Sequence, residues 1–285
     1  MVGQGYDGAG NMSGKRKGVQ ARIQQQIPNA VYTHCKAHCL NLAIVHACSE
    51  TFVKNMMGTV QTVAFAFNYS AKRLLKYQDT LETDPQSTEA MGNRSKLVNL
   101  CDTRWTARAK ALDTFLCSYS TVVSALEFLA DDGDAKAAAY LLSVSTFEFV
   151  ITLVTTEHCI KSLVQLSENL QEKTCDLLKA SQEAKTQKVM LQNKRNDITV
   201  WEALYDKAVN IARTVGVEPS MPRSNGRQRN RPNVPADTPS EFWRLNMYLP
   251  FTDHLITDLS DRILQANDRY LAQNLIPSQV IELLY

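Results

Sequence analysis

No charge of one sign dominates this chain. Its 285 residues hold 31 Lys and Arg against 29 Asp and Glu, a formal net charge of +2. Bulk charge therefore gives no argument for nucleic acid, and any basic surface must be local. No long hydrophobic run occurs either. The longest apolar stretches, such as 40–48, fall far short of the roughly 20 residues that span a bilayer. Residues 1–18 are polar and glycine-rich, without the apolar segment that leads a secreted chain. Seven cysteines are an odd count for a disulfide scaffold, so an intracellular, reducing compartment is expected, with no membrane partner. There is no G-x-S-x-G elbow, and no Ser/His/Asp order stands out. What remains is ordinary globular material: 44% hydrophobic and 21% charged residues, enough to build a core.

The first 50 residues differ from the rest. Six of the 11 glycines stand before Val19. The spacing of Val19, Ile23 and Ile27 predicts a helix over 15–26, capped by Ser13 and stopped by Pro28. Residues 30–35, with Val31, Tyr32 and Thr33, read as a short strand. A second helix starts near Ala37, with Leu40, Ile44 and Cys48 on one stripe. Beyond Glu50 almost nothing reads as strand. Helices are predicted over 55–76, 104–130, 135–145, 146–170, 172–194 and 200–215, and 79–94 reads as a polar break. The helix over 104–130 carries Trp105, Leu112, Leu116, Tyr119, Val123 and Leu126. That over 172–194 has only a thin stripe of Leu177, Leu178, Val189 and Leu191. The pattern is that of an α-helical bundle. Residues 216–240 hold five of the nine prolines and the run 222–232, with four arginines and no acid, and read as a mobile linker. Helix resumes over 241–265 around Pro250, with Trp243, Tyr248, Phe251, Leu255, Leu259 and Ile263.

Several motifs carry possible chemistry. Gly3-Gln4-Gly5-Tyr6-Asp7-Gly8 matches G-x-G-x-x-G, which signals a dinucleotide only after a strand in a βαβ unit. Only two residues precede it, and the Asp7 carboxylate would repel a pyrophosphate, so that reading is set aside. Residues 9–16 miss the P-loop pattern at Ala9 and Arg16. Asp7 itself, between two glycines and before a helix, is either a turn residue or a ligand of a divalent cation. His34-Cys35-Lys36-Ala37-His38-Cys39 is the densest ligand run. Cys35 and His38 have zinc-type spacing, but no second pair follows, and Cys35 and Cys39 also read as small buried hydrophobes. Trp105 beside Arg104 reads as core, or as a base-stacking ring next to a phosphate-binding guanidinium. Arg223, Arg227 and Arg229 in the linker run read as phosphate contacts, as a nuclear import signal, or as a solvated tether.

Taken together these stretches resemble hAT-superfamily transposases, above all their domesticated relatives of the zinc finger MYM-type protein 1-like and THAP-type repressor kinds. The resemblance rests on residues 3–14, on Lys17-Gly18-Val19-Gln20, on 34–42, on Thr103-Arg104-Trp105, on 233–239 and on 248–255. It runs nearly end to end. It implies an α-rich α/β fold: a ribonuclease H-like core, represented here by strand–helix–strand–helix over 1–50, interrupted by a large all-α insertion. The expected divisions are 1–50 for the partial core, 51–215 for the insertion, 216–240 for the Pro/Arg-rich linker and 241–285 for a last helical segment of the insertion.

The resemblance also implies residue roles. Asp7 matches the second acid of a D-D-E site that binds Mg²⁺ or Mn²⁺. Cys35 and His38 match the supporting C-x-x-H motif. Arg104 and Trp105 match an R-W motif at the DNA strand being cleaved. The first acid is expected on a strand before Met1, and the third after Tyr285, with the dimerisation segment. Glu157, inside the helical insertion, is no substitute. The expectation is a fragment of a nuclear, transposase-derived protein, with DNA as its partner, a dimer only through the segment after Tyr285, no cofactor in this chain and no catalysis on its own. The alternative is a non-catalytic protein- or DNA-interaction module of a domesticated transcriptional regulator.

Overall fold

A computed structural model describes residues 3–100, 105–172, 177–222 and 234–264. Strands β1 (Gly3–Tyr6) and β2 (Val31–His34) pair in parallel, with Gly3 opposite Val31 and Tyr6 opposite His34. Parallel neighbours need a crossover. Here it is made by α1 (Gly10–Ser13) and α2 (Val19–Gln26), and α3 (Lys36–Ala47) follows β2.

The start of α2 differs from the expected position for a steric reason. A Cβ on Gly14 would stand 2.5 Å from the Gly10 carbonyl oxygen, and one on Gly18 would stand 2.5 Å from the Gly14 nitrogen. This tight double turn only glycines can make, and it delays the helix from 15 to Val19. Ser13 does not cap α2. Its hydroxyl donates to the carbonyls of Gly8 at 3.0 Å and Ala9 at 3.1 Å. Nor does α2 bury the expected stripe: Gln20 and Ala21 are buried, while Ile27 is 37% exposed. Buried amides orient this helix instead. The Gln4 side-chain amide donates to the carbonyls of Gln20 and Ala30, both at 3.1 Å, and that of Gln20 donates to the Ser13 carbonyl at 3.1 Å. In α3 the expected stripe holds: Leu40, Ile44 and Cys48 are buried.

The helical body contains α4 (Thr51–Asn68), α5 (Ala71–Glu82), α6 (Pro85–Met91), α7 (Trp105–Cys117), α8 (Tyr119–Asp131), α9 (Ala135–Val144), α10 (Phe147–Lys161), α11 (Val164–Gln171), α12 (Leu177–Asn196), α13 (Ile198–Thr214), α14 (Pro239–Trp243) and α15 (Leu249–Leu259). Two π-helical turns, Arg244–Tyr248 and Ser260–Leu264, flank α15. Three expectations are corrected. The helix expected over 55–76 is two: α4 starts earlier, where the Glu50 carboxylate accepts the Phe52 N–H at 2.9 Å, and α5 is restarted by a Ser70 cap. The polar stretch 79–94 is not a break, because Asp84 caps α6 with Pro85 in its first turn, where proline is tolerated. The long helix over 104–130 is divided at Ser118, between α7 and α8. In α12, Leu191 is buried but Val189 is 51% exposed.

One hydrophobic core runs through the molecule from Cys39 to Ile263. At its centre lies α10, which buries Phe147, Val150, Ile151, Leu153 and Val154. Trp243 meets Phe52 and Phe242 edge-on, with ring centres 5.1 and 5.2 Å away, geometries that favour aromatic pairs. All six apolar residues expected inward over 241–265 are buried. They carry α15 against α3, so the opening α/β unit and the last described helix share the core. A polar clamp crosses the same seam: His46 Nδ1 lies 2.6 Å from the buried Asp258 carboxylate, Arg262 Nε donates to it at 3.1 Å, and Lys36 Nζ donates to the Ile263 carbonyl at 2.8 Å. The protein is α-rich with one parallel strand pair. Two strands accommodate the ribonuclease H-like expectation without distinguishing it from other α/β folds. Among the described residues no single helix is long and apolar enough to cross a membrane.

Both described flanks of the arginine-rich stretch are pinned. The Trp243 indole donates to the Ser220 carbonyl at 2.9 Å. Asn246 accepts the Val234 N–H at 2.7 Å and donates to the Val234 carbonyl at 3.0 Å. The expected linker is therefore attached to one helical turn at each side of 223–233, which lie outside the described residues.

Candidate functional site

The residues singled out near the chain start meet at one end of the strand pair. Asp7 follows β1, His34 ends β2, Cys35 caps α3 and His38 lies in the first turn of α3. The carboxyl ends of parallel strands are where α/β proteins place ligands, because the turns there are open to solvent. Asp7 serves its own turn: its Oδ1 accepts the Ala9 N–H at 3.2 Å, and its carbonyl accepts the Tyr32 hydroxyl at 3.4 Å. That is the short-range bonding expected of an aspartate at a turn. Its side chain is exposed.

The closest packing in the site is between two imidazoles. The His34 and His38 rings stack with centres 5.4 Å apart and planes 30° apart. Gly8 borders both. A Cβ built there would stand 3.0 Å from His34 Cε1, 3.2 Å from His34 Nε2 and 3.8 Å from His38 Nε2. His34 Nε2 is shut off from solvent and has no hydrogen-bond partner among the described residues. Burial, seconded by the neighbouring His38, pushes the His34 pKa below its ordinary value, although Asp7 pulls the other way. Cys35 is exposed, whereas Cys39 is buried and its thiol is pushed up by that burial. Cys39 is thus the small core hydrophobe, and Cys35 is not.

The described residues do not fit a two-ion phosphoryl-transfer centre. Such a centre needs several carboxylates that hold ions about 3.5–4 Å apart. Asp7 brings one, and among the described residues no group of three or more His, Cys, Asp or Glu stands close enough to hold a metal. Glu157 lies on α10, buried and 3.1 Å from Lys161 Nζ, which also reaches Asp113 at 3.2 Å. It lines a cleft of about 270 Å³ with Asp113, Lys161 and Lys207.

Of the expected DNA contacts, Arg104, Arg223, Arg227 and Arg229 lie outside the described residues. Trp105 opens α7, and its side chain lies outside them too. Within the ligand run 34–39, spacing singles out Cys35 and His38, and His34 gains a distinct place only where its ring stacks on His38. Its signal was the four-residue spacing to His38, which crosses a strand–helix junction and so escapes any single periodicity.

No protein-family model matches the chain, and no solved structure matches it. Curated proteins do, two named repressors among them. The "52 kDa repressor of the inhibitor of the protein kinase" of Homo sapiens is 24% identical over 269 residues, and its Mus musculus counterpart is 24% identical over 270. Each alignment covers 91% of this chain and 35% of the relative, so the chain spans about a third of the length of the curated relatives it matches. The chain is similar, along nearly its whole length, to proteins named as repressors.

Proposed function

We propose that this chain is a DNA-binding, non-catalytic part of a nuclear regulator derived from an hAT-type transposase. One observation carries the reading: the similarity to repressor-named proteins covers 91% of the chain, rather than one motif within it. The opening α/β unit is then a remnant of a ribonuclease H-like core, and the helical body is the insertion. The arginine run 223–231, flanked by the Trp243 and Asn246 anchors, supplies phosphate contacts, and Arg104 with Trp105 supplies a second contact to the strand. Asp7 is a turn residue in this reading, in keeping with its bond to Ala9. Binding to short duplex DNA across a salt series tests this. Each phosphate neutralised contributes roughly 0.9 to the slope of log affinity against log salt. Replacing Arg223, Arg227 and Arg229 with alanine should lower that slope by about 2–3. Unchanged affinity in the triple variant would remove the assignment.

A second reading is favoured by the placement of Asp7 at a strand's carboxyl end: the parent family's metal-dependent strand cleavage persists. Incubation of plasmid DNA with the chain and Mn²⁺ separates the two. The proposal expects no nicking; nicking that disappears in Asp7→Ala establishes the second reading.

A further inference from the structure

We propose that His34 and His38 form a binding site for a borderline transition-metal ion, with Zn²⁺ as the defining ligand. The site differs in donor type from the carboxylate centre that the family resemblance implies. Three observations converge. The two rings stand 5.4 Å apart. An ion held at 2.0–2.1 Å by two imidazole nitrogens in a tetrahedral shell sets the ring centres roughly 5 Å apart, close to the separation observed. Both Nε2 atoms lie beside Gly8, since a Cβ built there would stand 3.2 Å from one and 3.8 Å from the other. A Cβ at position 8 would crowd the His34 ring. Finally, His34 Nε2 is buried and has no hydrogen-bond partner among the described residues. A buried polar atom without a partner costs free energy that a bound ion would relieve.

The donor chemistry selects the ion. Imidazole nitrogen suits Zn²⁺, Cu²⁺ and Ni²⁺, whereas Mg²⁺ takes oxygen ligands. Two water molecules complete the shell, since no third protein ligand converges among the described residues. With half the ligands of a structural zinc site, an affinity on the order of 1–100 μM is expected. The ion would tie the loop after β1 to the junction of β2 and α3.

The test uses the purified, metal-stripped chain titrated with Zn²⁺ against a chromophoric chelator. One equivalent should bind. His34→Gln, His38→Gln and Gly8→Ala should each weaken binding tenfold or more, the last by crowding the His34 ring without removing a donor. His254→Ala and Cys35→Ser should leave it within twofold, and a thousandfold excess of Mg²⁺ should not displace the zinc. Absence of binding, binding that survives the double histidine variant, loss in Cys35→Ser, or displacement by Mg²⁺ each overturns the proposal. Imidazole NMR on the unaltered protein guards against variants that fail to fold. Zinc should move the resonances of two of the five histidines, His34 and His38; movement of His46 and His254 instead overturns it. The outcome is independent of DNA binding, which is measured without zinc.

Discussion

Replacing Asp84 with alanine is expected to destabilise the helical body by about 2–3 kcal/mol. Asp84 caps α6, its Oδ1 accepting the Ser87 N–H at 3.0 Å. Loss of such a cap costs about 1 kcal/mol. Its Oδ2 accepts three hydroxyls, from Ser87 at 2.8 Å, Ser120 at 2.7 Å and Thr121 at 3.1 Å. Ser87 and Thr121 are 2% and 1% exposed, so their hydroxyls lose a partner that water replaces poorly. A stranded buried hydroxyl costs about 1 kcal/mol or more, and the 3.1 Å contact between Ser87 and Ser120 offsets part of this. Asp84→Asn keeps an acceptor at the cap and should cost only about 1 kcal/mol. Urea unfolding at pH 7 measures both, with unchanged m-values as the sign that only the native state was altered. The pH dependence has a definite sign. Burial pushes the Asp84 pKa up, but its hydrogen bonds outweigh that and hold it below the ordinary 3.8. A depressed carboxylate contributes stability above the unfolded value, which is lost as pH falls through the folded value. The gap between the wild type and Asp84→Asn should therefore close below about pH 4. An alanine variant within 0.5 kcal/mol of the wild type, or equal in cost to the asparagine variant, would refute the reasoning.

Other consequences are equally direct. Asp134 takes both Arg73 nitrogens, at 2.7 and 2.9 Å, and that pair, with help from the cap of α9, holds its pKa at about 2. Asp134→Asn should cost about 1 kcal/mol at pH 7 by urea unfolding, and the cost should vanish between pH 4 and pH 2. His158 is pushed down to about 4 by burial and then by Lys194, Lys207 and Lys161. The unfolded chain takes up that proton first, so stability should fall as pH drops from about 6.5 towards 4, and His158→Gln should flatten this decline in a melting series. Leu40, fully buried on α3, shares the core with α15. Leu40→Ala should cost about 2–5 kcal/mol in one cooperative transition, and a separate second transition would show that the α/β unit folds apart from the body.

The parts legible in the sequence were those ruled by periodicity. The stripe from Trp243 to Ile263 is apolar at helical spacing, and every one of its six residues is buried. Hydrophobic burial dominates there, so the pattern and the structure agree. The helix, strand and helix that follow residue 15 were legible from the same kind of pattern, whereas β1, in a glycine-rich stretch without alternation, was expected only through the family resemblance. What escaped was decided by hydrogen bonds and sterics. Asp84-Pro85 carried a cap-and-first-turn signal that the surrounding polarity masked. The division at Ser118 has no proline or glycine to announce it. The delay of α2 to Val19 follows from the Gly10, Gly14 and Gly18 backbones approaching one another, which spacing alone does not display. The candidate site was half legible. Asp7, Cys35 and His38 were named from the sequence, and they do reach one strand end. The role of His34 depends on the space beside Gly8, and that exists only once β1 and β2 pair.

The central claim is that this chain contacts DNA through its arginines and performs no chemistry at Asp7. Fluorescence anisotropy on a labelled duplex, run from 50 to 300 mM salt for the wild type, Asp7→Ala and the Arg223, Arg227 and Arg229 triple alanine variant, tests it most directly. The account predicts a steep salt slope that is unchanged in Asp7→Ala and reduced by about 2–3 in the triple variant. A slope that is the same in all three proteins, or an affinity that falls with Asp7→Ala and not with the arginines, would contradict it.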